Sequence, residues 1–239
     1  MINERCYVIR RRPYSETSLL LELLTSDSRS VHAIYRGAKR QHAVPIDLFC
    51  EYSMSWRARM GLVTLRSCEL ETTYALSDEA LYAGLYLNEL LRRGIHENQQ
   101  VERVYGIYSD ALTRLNDHAN ELEKTLRVFE RKYLSALGYA ISFDREQSSG
   151  HGIDAAINYA FEPREGFCRA SESSSNQYSG RVLLDISSDD FHSEESRRVA
   201  KLVLRQALDH HLGEREIKAR TLLSAKQYRD AASETTRYD

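Results

Sequence analysis

Residues 51–57 read Glu-Tyr-Ser-Met-Ser-Trp-Arg, the clearest strand pattern in the chain. Tyr52, Met54 and Trp56 alternate with polar residues, which places the apolar side chains on one face of a strand. Similar short segments surround this one, and the five predicted strands cover residues 6–10, 18–24, 31–35, 51–57 and 63–70. Five strands in about 70 residues predict a small closed barrel, because closure removes exposed sheet edges. The OB-fold is the commonest barrel of this size.

From Ser77 onward the spacing of apolar residues becomes helical. Four amphipathic helices are predicted, bounded by capping residues or by a terminal glycine, over residues 77–94, 101–115, 122–138 and 193–213. The first three follow one another with short connections. They should therefore pack as a bundle.

Residues 144–185 have no clear period and include the low-complexity stretch 171–176. Residues 159–161 and 166–169 could pair there as a small hairpin. The predicted fold class is α+β, an N-terminal OB-fold β-barrel followed by a helical-bundle domain with a small irregular lobe. The predicted domains are an OB-fold DNA-binding domain (1–76), a helical domain (77–143 and 186–224), the irregular lobe (144–185) and a flexible tail (225–239).

Sequence motifs for cofactors, metals and catalysis are missing. The chain has no Walker loop, GxGxxG, HExxH or GxSxG pattern, so we expect no cofactor and no enzymatic activity. The four cysteines, Cys6, Cys50, Cys68 and Cys168, form no CxxC pair, so we expect no metal. No apolar run approaches the roughly 18 residues of a membrane span, and we expect a cytoplasmic protein with no membrane partner.

Charge is distributed unevenly along the chain. Residues 1–66 carry eleven Lys or Arg against six Asp or Glu, a net charge of +5, whereas the whole chain carries −2. A basic segment with interleaved aromatic residues is typical of a nucleic-acid-binding module. Ordinary solvated charges would give the same composition.

Two basic clusters follow predicted strands, residues 10–14 (Arg-Arg-Arg-Pro-Tyr) and residues 36–40 (Arg-Gly-Ala-Lys-Arg). Both could lie on loops at one rim of the barrel, where OB-folds bind nucleic acid, and Tyr14 or Tyr35 offers a ring for a base. The DNA-binding candidates in this segment are Arg10, Arg11, Arg12, Tyr14, Arg36, Lys39, Arg40, Arg57, Arg59 and Arg66.

Two other classes of function stay open on the residues alone. A nucleic-acid hydrolase would need acids of the basic segment to converge on metal ions, and the available ones are Asp27, Asp47, Glu51 and Glu69. Their spacing gives no support to this. A protein-binding adaptor, in which the barrel binds protein and no DNA, is the other alternative.

Several short segments share their order and spacing with a known family. The most recognisable is residues 81–91, Leu-Tyr-Ala-Gly-Leu-Tyr-Leu-Asn-Glu-Leu-Leu. The others are residues 12–19, 36–39, 64–67, 126–130, 137–139 and 217–220. Together they resemble the RecO family of bacterial DNA repair proteins over nearly the full chain.

The resemblance implies an OB-fold, a helical domain and a recombination mediator. Such a protein binds single- and double-stranded DNA and anneals complementary strands. With RecR and RecF it helps to load RecA onto DNA coated by the single-strand-binding protein SSB. The resemblance implies that the protein breaks no bonds. It also implies a location at the nucleoid. Lys218 and Arg220 join the DNA-binding candidates through the segment 217–220.

The resemblance also bears on zinc and on SSB. Many family members hold zinc through four cysteines in the irregular region, where this chain has only Cys168, so it resembles the zinc-free branch. The family docks the acidic, Phe-ending tail of SSB on its helical domain. By the motif match Arg127 would meet the tail carboxylate, with apolar neighbours at Phe129, Leu134, Leu137 and Tyr139. The alternative is that Arg127 pairs with Glu123 or Glu130.

Overall fold

The computed structural model describes residues 1–57, 61–117, 121–174, 176–213 and 217–222. The chain divides into two compact units. Unit 1 comprises Met1–Leu122 and Glu216–Asp239, and unit 2 comprises Glu123–Arg215. Among the described helices, none combines the length and apolar character of a membrane span.

Unit 1 begins with a closed five-stranded barrel. Its strands are β1 (Ile2–Pro13), β2 (Leu19–Thr25), β3 (Ser30–Tyr35), β4 (Cys50–Trp56) and β5 (Val63–Thr73). They are ordered β1-β2-β3-β5-β4, with β3 and β5 parallel and the other neighbours antiparallel. This OB-like barrel, followed by helices, confirms the predicted α+β fold class.

Strand β1 closes the barrel because it pairs with two neighbours. Its first half pairs with β4, from Ile2 opposite Trp56, and its second half pairs with β2, as far as Pro13 opposite Leu19. The register shifts after Val8, where the strand bends from one neighbour to the other. The prediction of residues 6–10 was too short, because the polar ends of β1 carry no apolar period.

The interior of the barrel holds the predicted apolar face of β4. Tyr52, Met54 and Trp56 are all buried in the barrel core. Two polar side chains of β4, Glu51 and Ser55, are also buried. Glu51 accepts a hydrogen bond from Tyr105 of a following helix, which the alternation within one strand cannot reveal.

Two helices of unit 1 cover the outer side of β1, α1 (Asp78–Gly94) and α2 (Val104–Asp117). The Tyr7 ring lies 5.1 Å from that of Tyr108, whose hydroxyl donates to Asn88 at 2.5 Å. Asn88 in turn donates to the carbonyl of Ile9 at 3.1 Å. These buried contacts explain why α1 and α2 share a compact unit with the barrel, although the sequence groups them with later helices.

Unit 2 contains most of α3 (Leu122–Ala136), then β6 (Asn158–Glu162), β7 (Gly166–Arg169), β8 (Tyr178–Ser179), α4 (Gly180–Ser187) and α5 (Glu194–Leu212). Strands β6 and β7 confirm the predicted hairpin, and β8 adds a third strand on the other side of β6. The last helix is also confirmed. Ser193 caps it by accepting from the Ser196 amide at 2.9 Å, and Gly213 ends it at a φ of +90°.

The prediction of an irregular lobe over residues 144–185 was wrong at its C-terminal end, where α4 begins. The helix is short and follows a Ser-rich stretch, so too few apolar residues recur to show a helical period. Gly180 is required at its start, because a Cβ there would lie 1.9 Å from the carbonyl oxygen of Asp154. The predicted tail, 225–239, lies outside the described residues.

Candidate nucleic-acid interface

Three strand ends meet at one rim of the barrel. Pro13 at the end of β1 lies opposite Leu19 at the start of β2, and Leu19 lies opposite Tyr35 at the end of β3. The segments that follow β1 and β3 therefore both begin at this rim. The prediction that residues 10–14 follow the first strand on a loop was wrong, because Arg10–Pro13 lie within β1; only the end of this cluster, at Arg12 to Tyr14, shares the rim with residues 36–40.

Hydrogen bonds hold the two segments together. The Lys39 amide donates to the Thr17 carbonyl at 3.2 Å, and the Lys39 ammonium donates to the Ser15 carbonyl at 3.3 Å. Gly37, at a φ of +74°, allows the turn that the Arg40 amide closes onto the Gly37 carbonyl. The side chains gathered here, which we call the rim cluster, are Arg12, Tyr14, Arg36, Lys39 and Arg40, all exposed.

The cations at this rim differ in how far they are neutralised. Arg10 pairs with Glu22 at 3.2 Å and Arg11 pairs with Asp47 at 2.9 Å. In the part of the chain that the structure describes, the arginines of the rim cluster form no ion pair. Their charge is therefore available to a polyanion, whereas Arg10 and Arg11 would first have to leave an acid.

Two other candidates lie on or beside β4 and β5. Ile34 of β3 lies opposite Thr64 of the parallel strand β5. Arg36 and Arg66 each come two residues after this pair, so the two arginines lie at the same level of the barrel. Arg57 comes directly after β4, and Arg57 and Arg66 are both exposed. These positions extend the basic surface across neighbouring strands, and Arg59 lies outside the described residues.

Only one of the two aromatic candidates is well exposed. Tyr14 is 56% exposed, whereas Tyr35 packs partly against the barrel core. Burial raises the pKa of Tyr35, consistent with a hydroxyl that water reaches poorly. Tyr14 is therefore the better platform for a base.

The C-terminal candidates sit on a short helical segment, residues 217–222, that is anchored to α1. The Glu89 carboxylate accepts from the amides of Lys218 (3.3 Å) and Ala219 (3.0 Å) and from the Arg93 guanidinium (2.8 Å). Burial acts to raise the pKa of Glu89, but these hydrogen bonds lower it below its usual value. The Arg220 guanidinium lies 5.8 Å from the centre of the Tyr86 ring, a cation–π contact.

The acids that a hydrolase would need do not come together. Asp27 is held by Thr25 and Arg29, whose hydrogen bonds lower its pKa although burial acts to raise it. Asp47 and Glu51 are bonded to other side chains, as described above, and Glu69 is exposed on β5. Among the described residues, no three His, Cys, Asp or Glu side chains form a group that could hold a metal.

Helix α3 carries Arg127, the residue predicted to bind the terminal carboxylate of the SSB tail. Arg127 is 4% exposed, and its guanidinium lies 3.0 Å from the carboxylate of Glu130, which is 0% exposed. Glu123, the other partner considered from the sequence, pairs instead with Lys201 and Arg197. The spacing of apolar residues along α3 could not predict that Arg127 is buried, because a charged residue is not counted in that pattern.

The apolar neighbours assigned to the tail are not in one place. Phe129 and Leu134 are buried, Leu137 is half-buried and Tyr139 is 42% exposed. From Arg127 to the end of α3 the helix rises by about 14 Å at ~1.5 Å per residue, and Tyr139 lies beyond that end. The structure therefore separates Tyr139 from Arg127.

The fold and the rim cluster define a class of protein, an OB-like barrel with exposed cations on its loops and an appended helical unit. Residues 1–74 match the family model described as "Recombination protein O N terminal", and residues 77–221 match "Recombination protein O C terminal".

Relatives cover almost the whole chain. It is 34% identical to the DNA repair protein RecO of Haemophilus influenzae, over 92% of this chain and 95% of that protein. It is 35% identical to the protein of the same name from Coxiella burnetii, over 92% and 97%, and 33% identical to that from Nitrosospira multiformis, over 92% and 94%. The chain belongs to the RecO family of DNA repair proteins.

Proposed function

We propose that this chain is a recombination mediator that binds single- and double-stranded DNA through its barrel and anneals complementary strands. The observation that carries the proposal is the rim cluster, where exposed arginines without ion pairs among the described residues lie beside an exposed tyrosine. No bond-breaking chemistry is part of the proposal.

The charges at the rim suit annealing on physical grounds. Two DNA strands repel each other, and a surface that neutralises several phosphates on each strand lowers this repulsion while counterion release favours binding. Arg and Lys contacts to phosphate carry no sequence information. Such a surface can act at any gap in the DNA.

The proposed partners follow from family membership. RecR and RecF would act with this protein to load RecA onto SSB-coated DNA, in the cytoplasm at the nucleoid. The SSB tail would dock on α3 with its terminal carboxylate at Arg127. Because Glu130 already faces Arg127, the tail carboxylate would have to compete with it.

A triple charge reversal tests the DNA surface. Arg36→Glu, Lys39→Glu and Arg40→Glu together should weaken binding of labelled single-stranded DNA by about tenfold or more and slow annealing, because several phosphate contacts are lost. Fluorescence anisotropy and a strand-annealing assay measure the two effects. Circular dichroism checks that the variant is folded.

The matched control reverses three exposed arginines elsewhere, Arg114, Arg181 and Arg198, and so changes the net charge equally. It should bind DNA more tightly than the rim variant. Equal losses in the two variants would show a non-specific charge effect. A wild-type chain that binds no DNA at low salt would favour the protein-binding adaptor and contradict the proposal.

A further inference from the structure

A second exposed aromatic ring lies in unit 2, at the C-terminal end of α5. Tyr139 follows α3, His210 and His211 form the last turn of α5, and Arg164 lies in the turn between β6 and β7. Tyr139 contacts His211, His211 contacts His210, and His210 contacts Arg164. We call the four residues the α5-end cluster.

Tyr139 and His211 form a parallel stack. Their ring centres are 3.9 Å apart and their planes differ by 10°. His211 is also hydrogen-bonded to the Pro163 carbonyl at 3.3 Å, which fixes its ring. Since Tyr139 remains 42% exposed, a third flat ring can add to the stack from the solvent side.

The neutral protonation state of His211 suits a ring that stacks on another ring. Burial lowers the pKa of His211, and the neighbouring His210 and Arg164 lower it further, while the hydrogen bond to Pro163 acts in the opposite direction. A neutral imidazole at pH 7 stacks on a phenol ring without carrying a charge into the partly buried site.

Arg164 supplies a fixed and available cation. Its Nε donates to His210 Nε2 at 3.3 Å, and the two histidine rings meet edge to face at 4.9 Å. The side chain is exposed and forms no ion pair in the described ranges of the chain. The remaining guanidinium N–H groups can therefore donate to two oxygens of one phosphate.

We propose that the α5-end cluster binds single-stranded nucleic acid, with a base stacked on Tyr139 and a neighbouring phosphate on Arg164. Parallel stacking on aromatic side chains beside a cation is how single strands are bound without sequence preference. This contact lies in unit 2 and shares no residue with the rim cluster. It adds a second DNA surface to the proposed function.

An acidic peptide fits the same cluster less well. Glu162 and Glu165 flank Arg164 in the turn, and they repel any anion, phosphate or carboxylate, beyond the one that Arg164 itself binds, so adjacent carboxylates of an acidic run are disfavoured. A nucleotide brings one phosphate for each ring.

The test uses the full chain and a labelled single-stranded oligonucleotide. Tyr139→Ala should weaken binding by about tenfold, because one base loses its stacking partner, whereas Tyr139→Phe should stay within about twofold of the wild type. With the same oligonucleotide made abasic, Tyr139→Ala and wild type should bind equally. Thermal unfolding of each variant checks the fold.

Arg164 provides a second and independent readout. Arg164→Ala should weaken binding of both the normal and the abasic oligonucleotide, while Arg181→Ala, an exposed arginine on α4, should weaken it less. The proposal is overturned if Tyr139→Ala binds the normal oligonucleotide like the wild type. It is also overturned if the variants impair only binding of an acidic SSB-tail peptide. Failure of the wild type to bind DNA would instead contradict the proposed function as a whole.

Discussion

The rim cluster and the Arg127–Glu130 pair differ in the surroundings of their cations. The rim arginines are exposed, at the end of β1 and in the segment after β3, without an acid partner among the described residues. Arg127 lies on a helix at 4% exposure and faces a carboxylate with no exposed surface. An exposed cation adds little to stability and can meet a phosphate, whereas a buried one must be paired and its loss is costly. Residue type alone does not separate these two roles.

The largest expected effect on stability is that of Arg127→Ala. Glu130 would lose the cation that faces it in the interior, and removal of one partner of a buried pair typically costs about 3–5 kcal/mol. Chemical denaturation should show this as a shift of the unfolding midpoint. Lys132→Ala, an exposed position on the same helix, should change the free energy of unfolding by less than about 0.5 kcal/mol.

A double variant separates stability from tail binding. Arg127→Met with Glu130→Gln removes both charges and should recover much of the lost stability. If Arg127 also anchors the SSB tail, the double variant should still fail to bind the tail peptide in a fluorescence titration. Tail binding by a stable double variant would place the docking site elsewhere, and an unchanged stability of Arg127→Ala would contradict the structural role of the pair.

A smaller effect is expected at Glu89, which is partly exposed and anchors residues 217–222. Glu89→Gln should lower the free energy of unfolding by about 1 kcal/mol at pH 7, because a charged acceptor is replaced by a neutral one. Folding lowers the pKa of Glu89, so its contribution is present above the usual carboxyl pKa of about 4.3 and is lost as the pH falls through the lower folded value.

Unfolding curves of wild type and Glu89→Gln should therefore converge as the pH falls below about 4. A constant difference between the two proteins from pH 7 to pH 3 would mean that the carboxylate charge is not what holds the segment. The rim variants should have the smallest effect on stability and leave the free energy of unfolding within about 0.5 kcal/mol of the wild type.

The barrel could be predicted because its signal is local. The alternation at Tyr52, Met54 and Trp56 reports one buried face, and all three are core residues. Burial of Glu51 could not be predicted, since it depends on Tyr105, a residue 54 positions away. The short helix α4 was missed because its eight residues give only just over two turns of periodicity.

The candidate site was predictable to a similar extent. The rim could be inferred because basic residues lie near the ends of two strands, and the pairing of Leu19 with both Pro13 and Tyr35 brings these ends together. The sequence does not show that Tyr139 stacks on His211, because the two rings come from distant elements. It offers the pairing of Arg127 with Glu130 on the same helix but does not show that this pair is buried. Lys218 and Arg220 were predicted to bind DNA only through the family resemblance. The sequence did not predict that their segment is anchored to α1, where Lys218 donates to Glu89 and Arg220 lies over Tyr86.

The salt dependence of DNA binding tests the central claim most directly. Each phosphate contact to a single strand contributes about 0.7 to the slope of log K against log salt concentration. Replacing Arg36, Lys39 and Arg40 together with alanine should therefore reduce the slope by about 2 in a titration of single-stranded DNA between low and moderate salt. Parallel lines for wild type and variant would show that the rim cluster does not contact the DNA backbone.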